Sequence, residues 1–430
     1  MVVGIFVALL LLILIGTPVL LAIGAVALAG VIIVPELVTA IFPQKLFAIL
    51  DSFGLLAMPF FILAGSIMSR GGISKRLVEF AETAVGHLRG GLAQSNVVAS
   101  MVFSGVSGSS TADTAAIGSI LIPSMKERGY KAGYASAITA TSSTIGPIIP
   151  PSMVMIIYGS MAGVSIGGLF LAGLIPGVLI GIGLMIAIYI QSFLPKYPEL
   201  RSTQGKLSLI RVLKSARKVW VALLAPVIIL GGIISGVFTA TEAGVVTVFY
   251  ALITTFFVYR TFSWRDMPDI ILDSAITTCQ VVGIISVAGA LGWLLSYLNF
   301  NMQVLQFLSS VSTNPTIVLV TMLVIMLMLT MFVESLAILI IFVPVAVFVT
   351  SQFGLDPYYA GICIVMATQI GATTPPVAVL LFVSTSIAET TYDQTVHYVW
   401  PFLFTLLLVL LAVILFPPLA TFIPSTLVGI

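Results

Sequence analysis

Two segments of this chain interrupt long apolar stretches in the same way, 225 residues apart. The first is Gly146-Pro147-Ile148-Ile149-Pro150-Pro151, and the second is Gly371-Ala372-Thr373-Thr374-Pro375-Pro376. A Pro-Pro pair removes two backbone donors and clashes with the preceding helical turn. In hydrocarbon the carbonyls freed by such a break must be satisfied within the protein or at a polar cavity. Paired broken helices in corresponding halves of a membrane chain point to the binding site of a secondary transporter.

The membrane setting follows from composition. The 430 residues are 60% hydrophobic and 7% charged, with a mean hydropathy of +1.22. So few charges cannot keep the surface of a soluble domain wet. Apolar runs long enough to cross roughly 30 Å of hydrocarbon recur along the whole length. The expected fold class is an all-α polytopic membrane protein. Basic residues gather at Arg70–Arg89, Lys126–Lys131, Lys196–Lys218 and Arg260–Arg265, and none follows Arg265. These clusters are expected to face the cytoplasm, and they form no nucleic-acid patch. Cys279 and Cys363 lie in apolar segments without ligand spacing and read as buried small hydrophobes. Met1-Val2-Val3-Gly4 lacks a basic n-region, so no cleaved signal is expected.

The charge clusters and apolar runs divide the chain into a first repeat at 1–194, a linker at 195–218 and a second, inverted repeat at 219–430. Each repeat is expected to hold a re-entrant helical hairpin, at about 90–125 and about 315–350, and a broken helix, at about 134–162 and about 359–388. The linker places Leu207, Ile210, Val212 and Leu213 among Lys206, Arg211, Lys214 and Arg217, the pattern of an interfacial amphipathic helix. Matching Pro123 to Pro344 sets Asp113 opposite Glu334 and gives the second hairpin four extra residues. Met1–Gly16 is short for a span.

The first hairpin tip runs Ser104-Gly105-Val106-Ser107-Gly108-Ser109-Ser110-Thr111. A helix that starts after glycines offers free N–H groups, hydroxyls and the positive end of its dipole, which suits a carboxylate. Ser109, Ser110, Thr111, Pro147, Ser152 and Ser335 are the candidate substrate residues. Hydroxyls and carbonyls of Ser107, Ser110, Gly146 and Ile148 are candidate Na⁺ ligands, with Thr330, Val333, Thr373 and Thr374 as the second set. Na⁺ would then serve as a coupling ion at two or more sites. The competing reading is that these hydroxyls only cap helices. Asp113 and Glu334 are acids at membrane depth and so candidate coupling groups; a carboxylate that only caps its own helix is the alternative. Glu242, in Thr239-Ala240-Thr241-Glu242, reads as an N-terminal helix acid. Gly105-Val106-Ser107-Gly108 also fits an intramembrane serine hydrolase, but neither His87 nor His397 is placed as its base.

Leu56-Ala57-Met58-Pro59-Phe60-Phe61-Ile62-Leu63-Ala64-Gly65, the serine-rich Ser104–Asp113 tip, Ile148-Ile149-Pro150-Pro151-Ser152 and Ala372-Thr373-Thr374-Pro375-Pro376-Val377 resemble the large membrane subunit of tripartite ATP-independent periplasmic (TRAP) transporters. The resemblance covers nearly the whole chain. It implies an elevator-type fold with scaffold and transport domains in the bacterial inner membrane. It also implies Na⁺-driven uptake of organic acids such as sialic acid or C4-dicarboxylates. The implied partners are a small four-helix membrane subunit, as a separate chain, and a periplasmic substrate-binding protein. A stand-alone Na⁺- or H⁺-coupled carboxylate transporter of the same superfamily is the alternative.

Overall fold

A computed structural model describes residues 1–201 and 208–427. Among the described residues every regular element is helical. The chain enters through α1 (Val2–Leu14), α2 (Val19–Ile33), α3 (Ile41–Ala48), α4 (Ala57–Arg70) and α5 (Ile73–Val85). It then forms a tight pair, α6 (Gly91–Ser107) and α7 (Ser110–Glu127), a broken helix, α8 (Ala132–Ser142) and α9 (Met153–Ala162), and a long helix, α10 (Ile166–Gln191). The second half follows with α11 (Leu209–Ile234), α12 (Ala240–Ile253), α13 (Met267–Tyr297) and α14 (Phe300–Val311). A second tight pair is α15 (Pro315–Thr330) and α16 (Ser335–Gln352), and a second broken helix is α17 (Pro357–Gly371) and α18 (Val379–Ala388). The chain closes with α19 (Tyr392–Leu415) and α20 (Pro418–Leu427). Among the described residues seven helices are long and apolar enough to cross a membrane.

The register of the repeat differs from the one that the prolines suggest. Ser110 and Ser335 open the second arms of the two hairpins, and Glu127 and Gln352 close them, both pairs 225 residues apart. The arms are equally long at 18 residues, so no four-residue insertion exists. Pro123 and Pro344 therefore occupy different turns. Glu334 is the N-cap of α16 and corresponds to Ser109, the N-cap of α7. Asp113 lies one turn inside α7, and its counterpart is the apolar Ile338. A proline inside a membrane helix can be accommodated in more than one turn, whereas a helix start is fixed by its cap. The caps are thus the better landmarks.

Packing follows the same repeat. The helix α4 packs against α12, and α2 packs against α13. A second body forms around α8, which packs on α18, α19 and α7, while α17 packs on α15, α16 and α10. Arg70 and Asp273 form an ion pair that ties α4 to α13. Both side chains are about half exposed, so in water its contribution would be at most about 1 kcal/mol.

Two sequence expectations change. The basic stretch after Ser208 is no separate interfacial helix: Leu209 starts a single 26-residue helix that continues to Ile234. Ser208 caps it, and its first turns expose Leu209, Ile210 and Leu213; Lys206 and Leu207 lie outside the described residues. Cys279 is exposed on α13, whereas Cys363 is buried. Its neighbours Ile271, Leu272 and Ile276 are exposed too, so this face of α13 is an outer surface that lipid can cover without a polar partner. The short Met1–Gly16 leg forms α1, which packs on α2.

Candidate substrate and ion site

The two hairpin tips meet the two helix breaks. The first tip needs glycine: Gly108 has φ +60°, and a Cβ there would lie 2.3 Å from the Pro151 carbonyl oxygen. This close approach lets the Met153 N–H donate to the Gly108 carbonyl at 3.3 Å. The second half repeats the contact, with Val377 N–H donating to the Met331 carbonyl at 3.2 Å. Gly371 is pressed on the second tip, since a Cβ there would lie 1.7 Å from Thr330 Oγ1. Both Pro-Pro bonds, Pro150-Pro151 and Pro375-Pro376, are cis.

Each break is closed by side chains. Ser152 Oγ donates to the Pro147 carbonyl and accepts from Met155 N–H at 3.1 Å, which caps α9. Tyr392 OH donates to the Pro376 carbonyl at 2.8 Å. Ala378, just before α18, has φ +49°, a left-handed conformation rarely adopted outside glycine.

A cavity of about 120 Å³ lies between the tips. Ser109, Ser110, Thr111 and Pro147 line it from the first half, and Glu334 and Ser335 from the second. Gln369, Ala372 and Thr277 complete its polar and small-residue lining. Among the described residues no lysine or arginine lines it. Ser110 Oγ donates to Gln369 Oε1 at 3.2 Å, a direct link between the halves. Ser109 Oγ accepts from Ala112 N–H at 3.4 Å, and Glu334 accepts from Ala337 N–H at 3.0 Å. The two helix starts therefore differ: one carries a neutral hydroxyl cap and the other a carboxyl cap.

The candidate residues separate into groups. Ser109, Ser110, Thr111, Pro147 and Ser335 share the cavity, whereas Ser152 is buried in its capping role. Ser107 is buried and its hydroxyl has no partner. Gly146 packs against the Ser109 backbone. The Ile148 carbonyl is turned to Gly173 of α10, where a Cβ would lie 2.3 Å from it. Thr330 Oγ1 donates to the Met326 carbonyl at 3.0 Å, Thr373 Oγ1 to Ile370 at 2.8 Å and Thr374 Oγ1 to Ile370 at 2.7 Å. A hydroxyl that donates its proton keeps lone pairs for a cation. Val333 faces a large apolar groove lined by α1, α2 and the second hairpin.

Asp113 is fully buried. Ser100 Oγ donates to its Oδ2 at 2.7 Å, and its Oδ1 has no partner. Ser100 lies 3.2 Å from Ser142, which donates to Asn96 Oδ1 at 3.0 Å, while Asn96 Nδ2 donates to Thr139 at 2.7 Å. This network joins α6, α7 and α8. Asn96, Ser100, Ser142 and Gln369 were not among the sequence candidates. Their signal is a polar residue inside an otherwise apolar helix, clearest for Gln369 near the end of α17. Glu242 and Thr239 form a reciprocal capping box, as expected of an N-terminal helix acid.

The DctM component of the tripartite ATP-independent periplasmic transporters is the family whose model matches, over residues 6–419. The chain belongs to this family. It is 36% identical over 414 residues to the sialic acid TRAP transporter large permease SiaM of Vibrio cholerae, covering 96% of each chain. It is 37% identical over 381 residues to the C4-dicarboxylate TRAP transporter large permease DctM of Pseudomonas aeruginosa, covering 89% of this chain and 88% of that one. Among solved structures, the YdaH transporter of Alcanivorax borkumensis shares the fold, with a TM-score of 0.61, 13% identity and 87% of each chain covered. This TRAP large permease is therefore a multi-pass protein of the inner membrane and a transport subunit, not an enzyme. The hydrolase reading of Ser107 falls with that assignment.

Proposed function

We propose that this TRAP large permease imports an organic acid of the sialic acid or C4-dicarboxylate class by Na⁺ symport. A periplasmic binding protein delivers the acid, and a separate small four-helix subunit supports the permease in the bilayer. The observation that carries the reading is the cavity where both hairpin tips meet both breaks, with no lysine or arginine among the described residues that line it. A substrate carboxylate there is held by the N-terminal end of α7, with its free N–H groups and the hydroxyls of Ser109, Ser110 and Thr111. The charge balance comes from Na⁺ taken up with the substrate. Ser107 Oγ and Asp113 Oδ1 are buried oxygens without partners, which fits a hard cation near the first tip. Asp113 supplies the countercharge, and Thr330, Thr373 and Thr374 hold a second ion. The two hairpins and broken helices move as one body against α2, α4, α12 and α13, in an elevator motion between inverted repeats.

The test is uptake into proteoliposomes that hold both membrane subunits. With the binding protein present, an inward Na⁺ gradient should drive accumulation of sialic acid or a C4-dicarboxylate, and a proton gradient in Na⁺-free buffer should not. Full uptake without the binding protein would establish the stand-alone alternative, and proton-driven uptake would make Asp113 and Glu334 proton carriers.

The hydroxyl ligands can be tested separately. Ser110→Ala and Thr374→Ala should each raise the Na⁺ concentration for half-maximal uptake about fivefold, the equivalent of one hydrogen-bond-sized contact of about 1 kcal/mol. Melting temperatures should stay close to wild type. Lower melting temperatures with an unchanged Na⁺ curve would leave both hydroxyls as structural groups, holding Gln369 and the Ile370 carbonyl.

A further inference from the structure

We infer that the face formed by α10 and α19 is a binding site for one anionic phospholipid of the cytoplasmic leaflet. Two adjoining cavities form it. An apolar groove of about 600 Å³ runs between the two helices. Its floor holds the small residues Gly183, Ala187 and Ala412, and its walls hold Ile186, Phe404 and Leu408. The groove ends at Tyr197. Next to that end is a polar pocket of about 540 Å³, lined by Lys131, Gly133, Asp393, His397 and Tyr398. The rings of Tyr197 and Tyr398 are 6.1 Å apart and bridge the two spaces.

The polar end suits a phosphodiester. Lys196 Nζ lies 5.6 Å from the Tyr197 ring and 5.8 Å from the Tyr398 ring, while Lys131 Nζ lies 5.8 Å over the Tyr398 ring. Lys196 Nζ is also 2.9 Å from His397 Nε2. Two carboxylates stand near these ammonium groups, Asp393 in the pocket and Glu199, which acts electrostatically on Lys131; Lys131 and Lys196 are the cationic contacts that the site offers to a phosphate. Both lysines belong to clusters assigned to the cytoplasmic side by the positive-inside rule. Exposed aromatics mark the same level as a membrane interface: Tyr189, Phe193 and Trp400.

A second observation singles out the junction. Gln191 lines the groove, is only 5% exposed, and neither its Oε1 nor its Nε2 has a hydrogen-bond partner. A buried amide with both ends unpaired is costly. A lipid placed with its phosphate between Lys131 and Lys196 and an acyl chain in the groove brings ester carbonyls to this level, where the Gln191 amide can donate to them. The groove alone would accept any chain; the lysines select the headgroup. This assignment is independent of the Na⁺ and substrate reading.

Native mass spectrometry of the full chain in mild detergent tests it, with phosphatidylglycerol and phosphatidylcholine of matched acyl chains as probes. Phosphatidylglycerol should bind more tightly. The double variant Lys131→Gln/Lys196→Gln should raise its Kd about thirtyfold, as expected for two lysines at a membrane surface, and leave phosphatidylcholine unchanged. Ala412→Trp, which fills the groove, should weaken both lipids. Melting temperature in lipid-free detergent checks that each variant is folded. Equal binding of the two lipids, with no effect of the double variant, would overturn the proposal. So would displacement by sn-glycerol 3-phosphate, which would mark a soluble-phosphate site. Capture of the small subunit by a photocrosslinker at position 412 in the assembled complex would also overturn it, by putting protein in the groove.

Discussion

Gly108→Ala is expected to abolish uptake and to lower the stability of the folded permease by about 2–5 kcal/mol. Two effects add. A left-handed backbone costs a residue with a Cβ about 1–2 kcal/mol, and overpacking costs about 1–3 kcal/mol more. The second effect dominates function, because the Cβ would stand 2.3 Å from a backbone oxygen, that of Pro151, which has no rotamer to escape into. Relief requires the tip to withdraw from the break, and that withdrawal opens the cavity wall. Gly129→Ala is the control: Gly129 has φ +84°, but nothing lies within 4 Å of its Cβ position. It should lose only the backbone term of about 1–2 kcal/mol and keep transport. Thermal melting in detergent and proteoliposome uptake read the two effects separately. Equal melting and equal uptake in both variants would refute the packing argument.

Asp113→Asn should do the opposite to stability and to coupling. Burying a charge without a full set of partners is costly, and the Asp113 carboxylate has a hydrogen bond on only one of its oxygens. The neutral amide keeps the shape and removes that cost, so the melting temperature should hold or rise. If the carboxylate is the countercharge for Na⁺, its loss removes up to about 4 kcal/mol of attraction at close range. The Na⁺ concentration for half-maximal uptake should rise roughly a hundredfold, about 2.7 kcal/mol. Ser100→Ala removes the 2.7 Å hydrogen bond to Asp113 Oδ2 and should give a shift of the same sign and smaller size. A Na⁺ curve unchanged by Asp113→Asn would leave the network as a structural clasp between α6, α7 and α8.

The breaks were legible in the sequence because proline leaves a helix few alternatives, and both occur with their glycines at a fixed spacing. The hairpin tips were legible because glycine and serine at membrane depth need an internal reason. The register of the hairpins was not. Pro123 and Pro344 looked equivalent, yet the helix starts are set by Ser109 and Glu334, which share no chemistry beyond an oxygen that can accept from the third N–H. Gln369 and Asn96 were missed for a related reason: a lone amide in an apolar helix carries no spacing, and its meaning comes from a partner in another helix. For Gln369 that partner is Ser110, far away in sequence. The Ile148 carbonyl was a reasonable candidate by position, but only the fold shows that it turns to Gly173. Composition likewise marked Cys279 as apolar without saying which side of its helix meets lipid.

The Ser110–Gln369 bond joins residues 259 positions apart in the chain. The ribosome therefore completes the first hairpin long before the helix that covers it exists. During that interval a tip of four serines, Ser104, Ser107, Ser109 and Ser110, must avoid bare hydrocarbon. The cavity is thus a product of assembly: a nascent chain truncated before α17 carries both hairpin tips but lacks Gln369, Ala372, Val379 and Leu380, and so has no closed chamber. Insertion of the first half depends on shelter from water, the insertion machinery or neighbouring helices until the second half arrives.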